Sequence, residues 1–195
     1  NVSFYNETKD RGIKPTPTIG GVGLISDYQK MITMDFKNEG NLVYVIGKTE
    51  GHLDQSVFAR SILNEKKGPP PEINLFNEKN NGSTVIKLMN EKLILSCKDV
   101  SLGGLLVTVA KMCIKGKKGV KLNKLKSLIN KFEFFFSEDQ GRYIIEVSGK
   151  NLKKVENILQ ENSVHFDNLG ETQNDDYINI DNDKISIDEL AKHNK

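Results

Sequence analysis

At 195 residues the chain has room for one domain of ordinary size, with appendages and a sizeable buried core. Its 37% hydrophobic and 28% charged residues read as a globular protein, and its longest apolar runs, around 105–110 and 132–136, are far too short to cross a membrane. With 28 Lys and Arg against 26 Asp and Glu, the net charge is +2, which argues against a dedicated nucleic-acid binder.

In chain order, Val2 and Phe4 alternate with Ser3 ahead of a polar run through Thr8, the pattern of a strand that leaves a sheet and delivers side chains to a site. A chain that opens inside a strand is expected to be a piece of something larger. Residues 9–18 read as a connector, since Asp10, Gly12, Pro15 and Pro17 oppose helix. Residues 19–25 are apolar with Gly20, Gly21 and Gly23, which predicts a strand closely approached by another backbone. Residues 30–36 alternate in part and predict a second strand. A turn at 38–41 leads into a buried strand at 42–46, closed by Gly47.

Residues 51–63 turn helical, and three prolines at 69–71 force an extended loop. Helical periodicity runs from 72 to 91 through Ile73, Leu75, Phe76, Val85, Leu88 and Met89. Asn80-Asn81-Gly82 predicts a break there, with Ser83 capping a second helix. A short strand at 93–97 precedes a helix at 105–114 whose Leu106, Val109, Ala110 and Cys113 share a face. Beyond it the pattern predicts a basic loop at 115–118, a small amphipathic helix at 122–130, an apolar strand at 132–136 and a strand at 142–147. A helix at 152–160 and a strand at 164–169 follow. A late hairpin joins 177–180 to 184–187 about Asp181-Asn182-Asp183, and a helix starts at 187. The alternation indicates an α+β fold, a mixed β-sheet covered by helices.

Two segments could carry chemistry. In Ser96-Cys97-Lys98-Asp99-Val100-Ser101-Leu102-Gly103-Gly104 a strand ends at a carboxylate and turns through two glycines into a helix N-terminus, whose N–H groups favour anions. Asp99 could hold a cation at a phosphate or accept N–H bonds of the turn. In Ser137-Glu138-Asp139-Gln140-Gly141-Arg142 the arginine could pair with a carboxylate to fix the loop, or grip a phosphate bidentately. Lys115, Lys117, Lys118, Lys121, Lys124 and Lys126 read as a solvated face, since no aromatic interleaves them. His52, His165 and His193 lack metal-ligand spacing, and Cys97 and Cys113 read as buried free thiols in a reducing compartment. No GxSxG or Walker-type loop is present.

Read in order, four blocks resemble the phosphoribosylformylglycinamidine synthases, in the form of a standalone synthetase subunit. Residues 1–8 and 13–20 are similar to the family's GNVS-x-YNET and I-x-PTP-x-IG segments, and 68–75 to its G-x-PPP-x-x-(D/N)-L linker. Residues 98–112 resemble its HDVSDGGL-x-V-x-x-AEM block, and 137–143 its SE-x-QGRY block. The resemblance implies a C-terminal-type domain of the aminoimidazole-ribonucleotide-synthetase superfamily at 15–170. Residues 1–14 would be the last strand of a preceding N-terminal-type domain with its connector, and 171–195 a hairpin and helix extension.

It also implies an activity: a cytoplasmic ligase of de novo purine biosynthesis that turns formylglycinamide ribonucleotide, ATP and glutamine-derived ammonia into formylglycinamidine ribonucleotide, ADP and phosphate, with Mg2+ as cofactor. The implied partners are the upstream half of the same polypeptide, a glutaminase subunit and a small accessory subunit, with no nucleic acid and no membrane. Carried over by position, Asn1 is a metal ligand through its amide oxygen and Ser3 a substrate-binding residue. Their i, i+2 spacing puts both on one face of a strand. The chain departs from the family at Lys98 and Leu102, where HDVSDGG has His and Asp, so Asp99, Gly103 and Gly104 are expected to form at most a vestigial nucleotide site. Asp54-Gln55-Ser56-Val57 departs in the same way from the family's glycine-rich turn. The catalytic histidine and the ATP-phosphate lysine would lie upstream, so the chain alone is expected to be inactive. The alternatives are a superfamily member with a different substrate, and a non-catalytic nucleotide-binding or scaffold module.

Overall fold

A computed structural model describes residues 7–12, 19–123 and 129–194. The strand expected around Val2–Phe4 and most of the helix expected at 122–130 lie outside these residues. The described chain starts with a small hairpin, β1 (Glu7–Thr8) against β2 (Arg11–Gly12). Lys9 and Asp10 turn it with φ of 50° and 59°, the left-handed pair that matches the twist of a two-residue hairpin.

The main body is built on β3 (Leu42–Ile46). Its side chains alternate between two apolar clusters, Val43 and Val45 on one face, Tyr44 and Ile46 on the other. A strand apolar on both faces must lie inside a sheet with both faces covered. It pairs antiparallel with β6 (Tyr143–Val147) on one side and β7 (Phe166–Gln173) on the other. β4 (Ser96–Asp99) extends the sheet beyond β6, and β5 (Gly119–Leu122), β8 (Tyr177–Ile180) and β9 (Asp183–Ser186) extend it beyond β7. The order is β4-β6-β3-β7-β5-β8-β9, antiparallel except for β5 with β8, so the sheet is mixed. Helices α3 (Gly104–Gly116), α4 (Lys131–Phe136) and α6 (Ile187–His193) cover one face through Leu105, Val109, Met112, Phe134 and Ile187. α2 (Leu75–Asn90) and α5 (Leu152–Glu161) cover the other through Val85, Leu88, Val155 and Leu159. A short helix, α1 (Val57–Ser61), starts on the Ser56 side chain, which accepts from Ala59 N.

Several local readings give way to tertiary contacts. Residues 19–25, expected as a strand, belong to no strand among the described residues. Residues 30–36 form no strand either. They run beside β4 with one ladder-like bond, Cys97 N to Thr33 O at 3.2 Å, and then drop Phe36 into the core. The helix expected to break at Asn80-Asn81-Gly82 is a single α2. Asn81 is buried and donates to Gly141 O at 2.9 Å, and Asn80 donates to Asn162 O at 2.8 Å, so amides that locally compete with helix are spent on neighbours instead. Residues 132–136 are helical, not a strand, because Asn130 and Glu133 form a capping box at the start of α4. β5 occupies 119–122, where the sequence indicates no strand and starts a helix at Leu122. β7 runs through position 170 to Gln173, and β8 and β9, in the expected hairpin, continue the same sheet.

One polar residue is set deep in this core. Glu146, on β6 and fully buried, accepts from Lys37 N at 2.9 Å, Asn38 N at 3.2 Å, Asn41 Nδ2 at 2.6 Å and Ser96 Oγ at 3.0 Å. It thereby fixes the turn that feeds β3 and stitches it to β4. Glu146→Ala should cost about 3 kcal/mol or more in urea unfolding, since several buried donors lose a charged acceptor at once. Glu146→Gln, which keeps the shape and one acceptor oxygen, should cost less than half as much.

Candidate functional site

The strand ends that could carry chemistry meet where β4 and β3 leave the sheet and β6 begins. Glycine makes the approach of their backbones possible. Gly47 has φ of +90°, and a Cβ there would lie 2.6 Å from Gly141 O. Gly104 has φ of +74°, and a Cβ would lie 2.6 Å from Ser137 O. The loop between α4 and β6, residues 137–142, is thus pressed against both the β3 exit and the start of α3.

Arg142 is the centre of this packing and is 1% exposed. It donates from Nη2 to Ser137 O at 2.7 Å, from Nε to Asp139 O at 3.1 Å and from Nη1 to Thr49 Oγ1 at 3.0 Å. The Asp139 carboxylate lies 3.7 Å from Nη1. Burial pulls the guanidinium below its ordinary value, against the opposing pull of Asp139 and Glu138. Of the two readings open for this arginine, the geometry carries the loop-fixing one. Its donors are turned inward, so it offers no fork to a phosphate.

The two carboxylates beside it fill positions that would otherwise attract anions. Asp139 accepts from Glu50 N at 3.0 Å, Gly51 N at 3.1 Å and His52 N at 3.1 Å. Glu138 Oε1 accepts from Val57 N and from Gly103 N, both at 2.8 Å, and so bridges the N-termini of α1 and α3. Two N–H groups of the 98–104 turn are therefore occupied from within the fold, Gly103 N by Glu138 and Gly104 N by Ser101 O at 3.0 Å.

Asp99, at the end of β4, is largely exposed and pairs with Lys98 Nζ at 3.2 Å. With Ser101, Glu138, Gln140, Tyr143 and others it lines a cleft of about 340 Å³. Among the described residues no group of three or more His, Cys, Asp or Glu is placed to hold a metal. Asp99 is exposed and beside an ammonium, and the neighbouring Glu138 already accepts two backbone N–H groups, a poor fit to Mg2+, which takes oxygen ligands around a full octahedron. Gly103 and Gly104 serve here as the turn and the tight contact, with φ of +91° and +74°. Asn1 and Ser3, the residues that resemblance assigns to metal and substrate, lie outside the described residues.

The remaining candidates are placed individually. His52 donates from Nε2 to Pro69 O at 3.0 Å and ties the proline loop to the β3 exit; a carbonyl can only accept, which settles the tautomer. His165 pairs with Asp167 at the surface, and His193 sits in the last turn of α6. Both cysteines are free, and burial raises both thiols, Cys97 to about 12. Lys118 donates to Asn174 Oδ1 at 2.6 Å. Gln140 and Tyr143, in the 137–143 block already singled out in the sequence, line the cleft because the fold brings them beside β4.

Comparison with known proteins adds a separate line of support. The domain described as AIR synthase related protein, C-terminal domain, matches residues 38–181. Phosphoribosylformylglycinamidine synthase subunit PurL of Pelagibacter ubique is 67% identical over 192 residues, 98% of this chain and 26% of that protein. The PurL of Bartonella bacilliformis is 37% identical over the same shares. The chain thus spans about a quarter of the length of the curated relatives it matches. Among solved structures, T. maritima PurL complexed with FGAR superposes with a TM-score of 0.71 at 18% identity, covering 84% of this chain and 30% of that one. Thiamine-monophosphate kinase from Stenotrophomonas maltophilia superposes at 0.53 and 11% identity over 79% and 54%. At such identities the likeness is one of fold.

Two outcomes test the packing. Arg142→Ala should lose about 3–5 kcal/mol in urea unfolding, because Asp139 and two buried carbonyls lose their partner. Arg142→Lys should still lose about 1.5 kcal/mol or more, since one ammonium cannot span three acceptors. With the Cys97 thiol near 12, about one in ten thousand is ionised at pH 8. Ellman's reagent at that pH should therefore titrate Cys97 and Cys113 only after denaturant is added.

Proposed function

Because the chain belongs to the family of AIR synthase related C-terminal domains, we propose that it is the C-terminal-type domain of a longer ATP-dependent ligase, a phosphoribosylformylglycinamidine synthase. The observation that carries this reading is 67% identity to a PurL across 98% of the chain. The reaction joins formylglycinamide ribonucleotide, ATP and ammonia into formylglycinamidine ribonucleotide, ADP and phosphate. The amide oxygen of the substrate attacks the γ-phosphorus of ATP, releasing ADP and leaving an iminophosphate. Ammonia then adds to that carbon and expels phosphate. The protein works in the cytoplasm, where a glutaminase subunit supplies the ammonia and a small accessory subunit joins the assembly. The solved structure described as PurLQS from T. maritima supports an assembly of this kind.

Within the chain the division of labour is uneven. By the family resemblance Asn1 would hold Mg2+ through its amide oxygen, a hard neutral donor of the kind that ion takes alongside phosphate oxygens. When bound, the ion neutralises charge on the transferring phosphate. By the same resemblance Ser3 would hydrogen-bond the nucleotide substrate. The inward-turned donors of Arg142 and the occupied helix N-termini support a scaffolding role for the 98–104 and 137–142 segments, with the rest of the chemistry upstream.

The test is reconstitution. Mixed with the upstream portion of its polypeptide, this chain should restore ATP- and Mg2+-dependent formation of the amidine, with an ammonium salt as nitrogen source, while neither part alone turns over. A folded complex that stays inactive under conditions where the intact protein works would refute the proposal. In the intact protein Asn1→Ala should lower kcat about 10- to 100-fold and raise the Mg2+ requirement. Ser3→Ala should act chiefly on KM for the nucleotide, by about tenfold.

A further inference from the structure

Residues 19–31 present six large apolar side chains, Ile19, Val22, Leu24, Ile25, Tyr28 and Met31, each more than half exposed, and Val22 and Leu24 are exposed completely. Elsewhere the same residue types fill two cores. Among the described residues, no backbone hydrogen bond joins 20–26 to any other element. The segment is assigned neither helix nor strand, has no left-handed residue and has the composition of a strand, yet it has no partner in the sheet.

Its glycines sharpen the point. Gly20, Gly21 and Gly23 have no left-handed φ, and a Cβ on any of them would meet nothing within 4 Å. Neither local conformation nor packing within this chain requires glycine at these positions. Glycine in a strand pattern serves the close approach of another backbone or ligand. In an extended segment Val22 and Leu24 share one face with Gly20, while Gly21 and Gly23 lie between Ile19 and Ile25 on the other. One face is a bulky apolar ridge and the other a trough.

The chain's own sheet offers no suitable edge. β9 presents Asp183 and Lys184, both exposed, a charged edge that resists pairing. The outer side of β4 is already engaged, with Cys97 N bonded to Thr33 O. A second copy would bring the same two edges. Three quarters of the length of the curated relatives lies outside the matched region. From these observations we infer that residues 19–25 add as a β-strand to an open, apolar sheet edge in the part of the longer polypeptide beyond these 195 residues. An apolar surface then closes over Val22 and Leu24, and a neighbouring backbone or side chain settles into the glycine trough. This rests on the reading of the chain as one portion of a longer synthetase.

Amide hydrogen exchange on the intact, active polypeptide tests it. The amides of residues 20–25 should exchange about 100-fold or more slower than unstructured peptide. The double variant Val22→Asp, Leu24→Asp should return them to fast exchange, while the amides of β3 and β6 stay protected and show the domain still folded. Fast exchange at 20–25 in the active enzyme overturns the inference and leaves the ligase reading intact. Protection that fades on dilution would assign the partner to a second copy, which also overturns it. Concentration-independent protection in a protein that makes no amidine would sustain the strand addition and remove the ligase reading.

Discussion

Arg142 brings a permanent charge into a space with almost no water, and the local fold is arranged to make that tolerable. An isolated buried guanidinium would cost several kcal/mol. Here two backbone carbonyls, a threonine hydroxyl and a carboxylate surround it. The acceptors come from two separate places, the β3 exit at Thr49 and the loop from Ser137 to Asp139. Satisfying the charge therefore means bringing those places together. The glycines at 47 and 104 remove the Cβ atoms that would keep the backbones apart.

Once Arg142 sets the loop, its neighbours are aimed. Asp139 closes on three consecutive N–H groups at 50–52, and Glu138 takes one N–H from each of two helix starts. Helix N-termini and runs of outward N–H groups attract anions in general. In this domain side-chain carboxylates are those anions. The carboxylates of the junction are thereby spent on the fold's own N–H groups and not left free to face a ligand.

A second buried polar device works on the sheet. Among the described residues Glu146 forms no salt bridge; its carboxyl oxygens accept from backbone, amide and hydroxyl donors. Such a network is demanding, because each unmet donor in a low-dielectric interior is costly. It also specifies the register of the 37–41 turn against β4 and β6 in a way that apolar packing, indifferent to direction, cannot.

Much of this was legible in the order of residues. The continuous apolar run at 42–46, the helix at 105–114 and the strand at 142–147 follow from burial patterns that local geometry imposes. The α+β class, and a family resemblance carried by short blocks rich in Gly, Pro and charged residues, were legible too. Asn1 and Ser3 are assigned by that resemblance alone. The sequence could not show that Asn80 and Asn81 would support one helix, since their amides are used up by Asn162 O and Gly141 O from distant segments. Nor could it show that 132–136 is helical, because four phenylalanines broken only by Glu133 carry no clear period.

For the site, the sequence by itself determined which side chains were available at the 98–104 and 137–142 segments, and that each could serve either a phosphate or the fold. Only the tertiary structure decided between those roles. Whether Glu138, Asp139 and Arg142 face a ligand or one another depends on contacts between residues 35 to 93 positions apart, and no local pattern contains that information. The strand-like segment at 19–25 is the converse case. Its residues predicted an apolar strand, and the structure pairs it with no strand among the described residues, the sheet's edges being charged at β9 and already bonded at β4.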